Sequence, residues 1–301
     1  MKIKAAVVGF GSIGRRHCEI LSSMKSVIEV SSLTSQKNIP YQSYSSLEEL
    51  VEYDPDYIVI ASPTSYHFEQ LNFLEDNLYE KKILIEKPLF EKNHDFVPKR
   101  NKVYVGYNLR FNPLISSLKN RLKDREIWNV NIFCGSNLVN WRENIEYQES
   151  SSAKVESGGG VLLDLSHEID YLKWIFGPIT IDYAKNSKIS DLDIQTDDFL
   201  TFSGHTQGST NFQVTLNYFS RIDTRRIIID GLGFAVVADL INNEIIEDRE
   251  GSKIITPYLD FNRNDSFKDM HNAILSNDDK FVCSFSEGQE VMKVIEEIKN
   301  F

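Results

Sequence analysis

The sequence lacks three features that would each indicate a particular class of protein: abundant cysteine, a long apolar run and a basic block. Its three cysteines, Cys18, Cys134 and Cys283, lie far apart and form no C-x-x-C pair, which argues against a disulfide framework and a zinc site. No apolar stretch approaches the roughly 18 residues of a bilayer-spanning helix, and the first residues lack the apolar segment of a signal peptide. We therefore expect a cytoplasmic protein with no membrane contact and no resident metal.

The charge balance restricts the partners further. The chain carries 33 Lys and Arg against 44 Asp and Glu, a formal net charge of −11 at pH 7. Binding to nucleic acid requires a basic surface that neutralises phosphates, so we expect no nucleic-acid partner. With 301 residues, 41% of them hydrophobic, the chain is long enough for two domains with buried cores.

The first third of the chain alternates short β-branched runs with amphipathic stretches of helix length. The segments are, in order, residues 3–8, 13–23, 27–33, 47–53, 57–61, 66–74, 83–85 and 103–105. Such alternation predicts a parallel sheet with crossover helices. We therefore expect an α/β fold, a doubly wound Rossmann domain over residues 1–110.

In the second part of the chain the pattern changes to long runs of period two. These runs lie at residues 210–219, 225–229 and 234–238. They predict a large, open-faced and mostly antiparallel sheet. Helical patterns occur at residues 163–175, 267–275 and 289–298. The second domain, residues 111–301, is thus expected to be α+β, with a terminal helix able to pack back on the first domain, and its uncovered sheet face predicts a homodimer or homotetramer.

A glycine turn follows the first strand and opens the first helix. Gly9, Gly11 and Gly14 stand in G-x-G-x-x-G spacing, with Ser12 and Ile13 between the second and third glycines. The first glycine permits a tight turn, the second lets a pyrophosphate approach bare backbone, and the third allows close helix packing. These five residues are predicted to bind a dinucleotide, NAD or NADP; a generic glycine turn is the alternative.

The end of the second strand bears on the choice of cofactor. NAD specificity normally requires an acidic side chain there to hold the ribose 2′-hydroxyl, whereas Glu29 falls inside the strand. Thr34, Ser35 and Lys37 instead offer hydroxyls and one positive charge. This composition suits a 2′-phosphate, so it favours NADP, with NAD as the alternative.

A polar turn follows the fourth predicted segment of the sheet, at the carboxyl edge where α/β sheets bind ligands. Ser62, Pro63, Thr64 and His67 occupy this turn and the start of the next helix. We expect them to line the nicotinamide side of a cofactor site. A simple capped loop, with His67 a structural residue on a helix surface, is the alternative.

Glu86, Lys87 and Pro88 directly follow the strand at residues 83–85, so a charged pair lies at the same edge. A lysine in this position can donate to a substrate hydroxyl and stabilise the alkoxide that forms as hydride leaves. The proline fixes the chain and is able to take the cis form. A solvated surface lysine is the alternative interpretation.

Four segments together resemble the Gfo/Idh/MocA family of oxidoreductases. They are residues 9–14, 86–88, 108–113 and the glycine-rich block 158–170. The resemblance spans nearly the whole chain and implies an NAD(P)-dependent oxidoreductase. It also implies that Lys87, Asp164 and His167 form the catalytic group. Many members place four positions between that aspartate and histidine, whereas the step here is three.

The chemistry of these side chains agrees with those roles. A histidine with an ordinary pKa of about 6.5 can take the hydroxyl proton while hydride moves to the nicotinamide, and return it in reduction. His167 is therefore the candidate general acid/base. Asp164 would orient it or bind a neighbouring hydroxyl, and Asp170 could do either. A buried structural histidine is the alternative for His167.

Substrate selection is expected to come mainly from the second domain. The polar and aromatic candidates are Asn108, Arg110, Trp141, Arg142, Tyr147 and Asp170. An arginine beside a tryptophan suits a carboxylate or phosphate while a sugar ring lies on the indole, although Arg142 packing its stem on Trp141 is an equal alternative. Residues 141–170 resemble family members from bacterial surface-polysaccharide pathways, which implies a sugar, nucleotide-linked and amino sugars included.

The sequence thus predicts hydride transfer between NAD(P) and a hydroxyl-bearing carbon of a sugar. Two other functions fit the same fold. NAD-dependent glycoside cleavage oxidises its substrate only transiently and gives no net redox change. A dinucleotide-binding sensor or regulator would catalyse nothing, although the presence of Lys87 and His167 argues against it.

Overall fold

The computed structural model describes residues 2–142 and 146–301, and the chain forms two compact units. The first unit holds the described residues up to Phe111 together with Arg263–Met292, and the second holds Asn112–Asn262 and Lys293–Phe301. The second domain was expected to hold everything from residue 111 onward, apart from a returning terminal helix. In the structure the returning segment is longer and begins at Arg263.

Strands and helices are numbered in chain order over the described residues. The strands are β1 (Ile3–Val8), β2 (Val27–Leu33), β3 (Gln42–Tyr44), β4 (Tyr57–Ile60), β5 (Lys82–Ile85), β6 (Lys102–Val105), β7 (Ile127–Asn137), β8 (Ile179–Ser187), β9 (Phe199–Thr206), β10 (Asn211–Asn217), β11 (Phe219–Gly231), β12 (Phe234–Asp239), β13 (Glu244–Arg249), β14 (Ser252–Pro257) and β15 (Cys283–Ser284). The helices are α1 (Ser12–Ser23), α2 (Leu47–Tyr53), α3 (His67–Asn77), α4 (Pro113–Arg121), α5 (Val161–Asp164), α6 (His167–Phe176), α7 (Arg263–Ser276) and α8 (Phe285–Lys299). In the described ranges, no helix is both long and apolar enough to span a bilayer.

The first unit contains a sheet of seven strands in the order β15-β6-β5-β4-β1-β2-β3. All neighbours are parallel except β15, which runs antiparallel to β6. The strand order reverses at β1, which lies between β2 and β4, and such a reversal is the switch point where doubly wound sheets bind ligands. The predicted Rossmann fold is confirmed.

The returning helix α7 belongs to the first unit because of its apolar face. Phe267, Met270 and Ile274 are buried and recur at a spacing of three and four residues, which places them on one side of the helix. They join the same core as Tyr57 and Leu21. Apolar residues of α7, far along the chain, therefore complete the core of the Rossmann domain.

The second unit contains a sheet of eight strands in the order β14-β13-β12-β11-β7-β10-β9-β8. Only the pair β7 and β10 is parallel. Burial alternates along the strands, as Val130 and Ile132 in β7 and Val214 in β10 are buried between exposed or half-buried neighbours. The predicted second domain with a large, mostly antiparallel sheet is confirmed.

The helix expected over residues 163–175 is divided in the structure. α5 ends at Asp164 and α6 begins at His167. The two segments have different anchors: Asp197 accepts from the Val161 and Leu162 amides at the start of α5, whereas Glu168 in α6 pairs with Arg225 in β11. The spacing of Asp164 and His167 suggested that they share a face of one helix. In the structure they lie on two separate helices.

The pair of Glu168 and Arg225 attaches α6 to the sheet. The guanidinium donates to both carboxylate oxygens, at 2.8 and 3.1 Å, and the carboxylate is completely buried. Bidentate ion pairs of this kind are strong, because both hydrogen bonds are charge-assisted. The position of α6, and of His167 at its first turn, depends on this contact.

Replacing Arg225 by methionine should therefore be costly. The change leaves the buried Glu168 carboxylate without its cation, and we expect the free energy of unfolding to fall by about 3–5 kcal/mol. Arg226→Met is the matched control, since that arginine is half-exposed and its partner Asp239 keeps hydrogen bonds from Asn242 and Ile241. It should cost below about 1 kcal/mol. Equal decreases in the free energy of unfolding of the two variants, measured in urea, would contradict the role given to the pair of Glu168 and Arg225.

Candidate active site

The glycine turn after β1 is closed by two glycines that have no room for a side chain. Gly9 has a φ of +98°, and a Cβ on it would lie 2.8 Å from the carbonyl oxygen of Ala61. A Cβ on Gly14 would lie 2.1 Å from the carbonyl oxygen of Gly9. Both glycines are thus required by the protein's own packing, and Gly9 brings the β1 turn against the segment that follows β4.

Gly11 differs, because a Cβ on it would meet no protein atom within 4 Å. Gly11 and Ser12 are exposed, and Gly11 is the N-cap of α1 with no side chain accepting from the helix amides. No acidic residue lies in the first turn. The amino end of α1 therefore offers bare amides and open space, which fits a dinucleotide pyrophosphate.

The end of β2 carries no carboxylate. Thr34 accepts from the Gln36 amide at 3.1 Å, and Gln36 donates through its side chain to the carbonyl oxygen of Phe10 in the glycine turn at 3.0 Å. Ser35 and Lys37 are exposed beside them. Glu29 is exposed within the strand, so the region available to a ribose is neutral to positive.

The turns after β4 and β5 lie at one edge, since the two strands are parallel neighbours. Ser62, Pro63 and Thr64 are half-buried or exposed there. His67 does not lie on a helix surface: it is 1% exposed, with one ring nitrogen 3.0 Å from the Ser62 carbonyl and the other 3.2 Å from the carbonyls of Pro88 and Leu89. His67 therefore links the two turns, and its ring has no exposed face that a cofactor could contact.

Lys87 is the one partly exposed residue in the fully described stretch 83–90; the residues on both sides are buried. The Lys87–Pro88 bond is cis. Glu86 is buried and accepts from His17 at 2.8 Å. Burial acts to raise the pKa of Glu86, but the hydrogen bond from His17 and the charge of Lys87 outweigh it and hold the pKa below its usual value. An ionised carboxylate thus lies beside the Lys87 ammonium.

The glycine block of the second unit serves close packing. A Cβ on Gly159 would lie 2.3 Å from the Ser151 carbonyl oxygen, and one on Gly160, whose φ is +113°, would lie 2.2 Å from the Asp197 carboxylate. Asp197 in turn accepts from the Leu162 amide at 2.9 Å. The glycines let the start of α5 approach these groups, which fixes where Asp164 lies.

Asp164 and His167 are the two partly exposed residues of the stretch 160–170, all of which the structure describes. Asp164 accepts from the Tyr218 hydroxyl at 2.6 Å. Burial and the neighbouring Asp164 raise the pKa of Tyr218 well above its usual value, so the phenol keeps its proton and donates. Asp170, by contrast, is 1% exposed, which favours Asp164 as the carboxylate able to meet a substrate.

Tyr218 was not predicted from the sequence. It lies between β10 and β11 and is completely buried, so its place in the sequence does not distinguish it from a core tyrosine. Its ring also meets the Trp141 ring edge-on, with centroids 5.1 Å apart. Tyr218 therefore joins the candidate catalytic carboxylate to the candidate sugar-stacking residue.

Trp141, Arg142 and Tyr147 lie together with Leu138 and Ser150 around one shallow surface depression. The indole nitrogen of Trp141 donates to the Ser136 hydroxyl at 2.7 Å, which fixes the ring. Arg142 reaches the Ser151 hydroxyl only at 3.5 Å. The structure therefore brings together three of the six predicted substrate residues.

Asn108 and Arg110 lie in a buried 3₁₀ turn of the first unit. The Arg110 guanidinium is 3% exposed and pairs at 2.8 Å with Glu287, in the first turn of α8. Glu287 also accepts from the Ser284 amide at 2.9 Å. This pairing gives Arg110 a structural partner, so the prediction that it binds substrate has no support from its surroundings.

Side chains that could bind a metal ion do not cluster in the described part of the chain. Over residues 2–142 and 146–301, no group of three or more His, Cys, Asp or Glu side chains is arranged to hold a metal ion. All three cysteines are buried as free thiols.

Two sequence profiles of one family match most of the chain. Residues 3–97 match the Gfo/Idh/MocA oxidoreductase family with an NAD-binding Rossmann fold, and residues 115–232 match the carboxy-terminal domain of the same family. The chain belongs to the Gfo/Idh/MocA family of oxidoreductases. The resemblance noted in the sequence is thereby confirmed.

Known relatives agree with this membership. An uncharacterized oxidoreductase from Synechocystis sp. is 32% identical over 146 residues, a match that covers 45% of this chain and 38% of that protein. Levoglucosan dehydrogenase in complex with NADH superposes with a TM-score of 0.86 at 15% identity, covering 100% of this chain and 96% of that one. UDP-N-acetylglucosamine 3-dehydrogenase from Acidithiobacillus ferrooxidans gives a TM-score of 0.76 at 15% identity, covering 100% and 97%. At such identities the two structures establish the fold alone.

The different surroundings of Gly11 and Gly14 give a matched test of the cofactor site. Gly11→Ala should fold with unchanged thermal stability, because its methyl has space and its φ of −71° suits alanine. That methyl would nevertheless face an approaching pyrophosphate, and we expect affinity for NAD(P)H to fall by about tenfold or more. Gly14→Ala should lose both stability and affinity. Unchanged cofactor titration of Gly11→Ala would place the dinucleotide elsewhere.

Proposed function

We propose that this oxidoreductase transfers hydride between a nicotinamide cofactor and a hydroxyl-bearing carbon of a sugar. The observation that supports it most is the pattern of exposure: Lys87, Asp164 and His167 are each partly open within segments that are otherwise buried. Buried flanks hold the backbone still while the functional end of the side chain stays available, which is the arrangement that positioned catalysis requires.

Each of the three side chains has a separate task in this proposal. The bound cofactor supplies the hydride acceptor or donor at its nicotinamide ring. The Lys87 ammonium donates to the reacting oxygen and stabilises the negative charge on it. His167 takes the hydroxyl proton in oxidation and returns it in reduction. Asp164, oriented by the Tyr218 hydroxyl, accepts from a neighbouring hydroxyl of the substrate.

A sugar is the substrate class that the second unit fits best. The Trp141 ring is fixed by its bond to Ser136 and presents an aromatic surface beside the Arg142 guanidinium. Two proteins of the same fold are named as dehydrogenases of levoglucosan and of UDP-N-acetylglucosamine. We therefore propose a neutral, amino or nucleotide-linked sugar, with Arg142 available for a carboxylate or phosphate.

The open face of the second sheet is the proposed subunit interface. Ile228, Val237, Ile246 and Ile255 pair across four successive strands and form an apolar row on the face opposite the buried Ile227 and Ile229. Ile228 and Ile255 are 38% and 53% exposed. An apolar row of this kind suits burial against a second copy, and we expect light scattering to give a dimer or tetramer at micromolar concentration.

Loss of Lys87 or His167 should remove most of the rate. For a sugar that reduces the cofactor, Lys87→Ala should lower kcat/KM by about 10²-fold or more, and His167→Asn by about 10²-fold. Because both act in one step, the double variant should be little slower than the worse single variant. Lys92→Ala, at an exposed lysine of the same unit, is the control and should keep the full rate.

The same assay separates the other two functions. Consumption of a glycoside without accumulation of reduced nicotinamide would favour redox-neutral cleavage. Cofactor binding without turnover of any sugar, together with normal binding by the Lys87→Ala variant, would favour a sensor. Either result would contradict the proposed dehydrogenase activity.

The end of β2 should decide the cofactor. We propose a preference for NADP, supported by the absence of a carboxylate beside Thr34 and by the exposed Lys37. Thr34→Asp adds a carboxylate that repels a 2′-phosphate and can accept from a 2′-hydroxyl, and it should shift the ratio of affinities towards NAD by about tenfold or more. Thr34→Asn has the same size without the charge and should shift it far less. A wild-type protein that binds NAD more tightly would contradict the preference.

A further inference from the structure

Four buried polar groups of the first unit form a single-file chain of hydrogen bonds that ends next to Lys87. The Glu86 carboxylate lies 2.8 Å from Nε2 of His17, and Nδ1 of His17 lies 2.9 Å from Nε2 of His271. Nδ1 of His271 lies 2.8 Å from the hydroxyl of Tyr57. The members come from the end of β5, from α1, from α7 and from β4, so the chain crosses the core of the unit.

The surroundings of this chain are apolar. His17, His271 and Tyr57 are all 0% exposed. The His17 ring meets the Phe267 ring edge-on at 5.4 Å, and the two histidine rings meet in the same way at 5.0 Å. Buried polar groups in such a place are costly unless each is satisfied. Aromatic or aliphatic residues would fill the same volume without that cost. Stability alone therefore does not explain why polar residues form this hydrogen-bonded chain.

The positions of the protons follow from the end of the chain. Glu86 is ionised and can only accept, which puts a hydrogen on Nε2 of His17. Burial and the neighbouring His17 lower the pKa of His271 well below its usual value, so its ring is neutral, with one donor and one acceptor. Burial raises the pKa of Tyr57, which therefore keeps its proton.

One arrangement then satisfies all four groups. Tyr57 donates to His271, His271 donates from Nε2 to His17, and His17 donates from Nε2 to Glu86. Every hydrogen and every acceptor nitrogen along the chain is used, which is the condition for a stable buried network. The direction of donation runs towards the carboxylate and leaves its negative charge at the end beside Lys87.

We infer that His17, His271 and Tyr57 are positioning residues that act on Lys87 through Glu86. The second carboxylate oxygen of Glu86 accepts from the Lys87 amide at 3.2 Å. A Cβ on Gly106 would lie 3.0 Å from the first oxygen, so the glycine leaves the carboxylate the space that it occupies. These hydrogen bonds thus fix a charged group that accepts from the Lys87 amide and interacts electrostatically with the Lys87 ammonium. The kinetic part of this inference rests on the catalytic role proposed for Lys87.

A double-mutant cycle tests whether the histidine acts through the carboxylate. His17→Leu should lower kcat by about tenfold or more, since small displacements of a catalytic group are costly. In a Glu86→Gln background the same change should alter kcat by less than about twofold, because the group through which it acts is already lost. Effects that multiply in the double variant would overturn the inference.

Tyr57→Phe and Tyr104→Phe separate positioning from general destabilisation. Both remove one buried hydroxyl from a strand of the same sheet, and Tyr104 donates to Asp279 rather than to the chain. At a temperature where both variants are fully folded, Tyr57→Phe should lower kcat measurably, whereas Tyr104→Phe should leave kcat unchanged. Equal effects of the two variants on kcat would reduce the chain to a structural role.

Nitrogen NMR gives a readout that needs no substrate. In the wild-type protein His17 and His271 should each carry hydrogen on Nε2, and His17→Leu should shift the Lys87 amide resonance while Tyr104→Phe does not. Hydrogen on Nδ1 of either ring, or an unmoved Lys87 amide, would overturn the inference. The expected NMR result in a protein that turns over no sugar would support the chain's hold on Lys87 and contradict the proposed dehydrogenase function instead.

Discussion

The parallel pairing of β1 with β4, and of β4 with β5, is the constraint from which the rest of the first unit follows. It brings three turns to one sheet edge: the glycine turn, the segment after Ile60 and the segment that carries Lys87. Close packing then fixes these turns against one another, since Gly9 touches Ala61 and His67 lies between Ser62 and Pro88. A dinucleotide at this edge would therefore meet a surface whose shape is set before it binds.

In the second unit the corresponding constraint is the anchoring of α5 and α6. Asp197 holds the start of α5, and the pair of Glu168 and Arg225 holds α6. The short break between the two helices leaves Asp164 and His167 open while their neighbours are buried. Tyr218 adds a hydrogen bond to Asp164, so this carboxylate has a defined direction. Rigid scaffolding with a few available polar ends is what electrostatic catalysis needs.

Local patterns in the sequence were sufficient for much of this architecture. The runs over Val27–Leu33 and Leu47–Tyr53 were expected at the residues where the structure has them, because period and turn residues act over short distances. The Rossmann domain, the antiparallel sheet and the glycine turn were predictable for the same reason. The family resemblance added Asp164 and His167, which no spacing argument singles out.

What the sequence could not reveal are contacts between residues far apart along the chain. His17 and His271 are 254 positions apart, and Arg110 and Glu287 are 177 positions apart. No local period links such residues, so Arg110 was assigned to the substrate and His17 was assigned no role. Tyr218 was missed because a buried tyrosine next to a strand has the same sequence pattern whether it packs in a core or orients a carboxylate. The break after Asp164 likewise depends on tertiary anchors, which override a continuous helical pattern.

The most direct test of the account follows the hydrogen itself. Sugars carrying deuterium on their hydroxyl-bearing carbons would be incubated with the oxidised cofactor, and the reduced cofactor would be examined by mass spectrometry and NMR. Direct hydride transfer predicts one deuterium on the nicotinamide ring for each sugar oxidised. Oxidised sugar with the deuterium released to water, or no oxidation of any sugar by a protein that binds the cofactor, would contradict it.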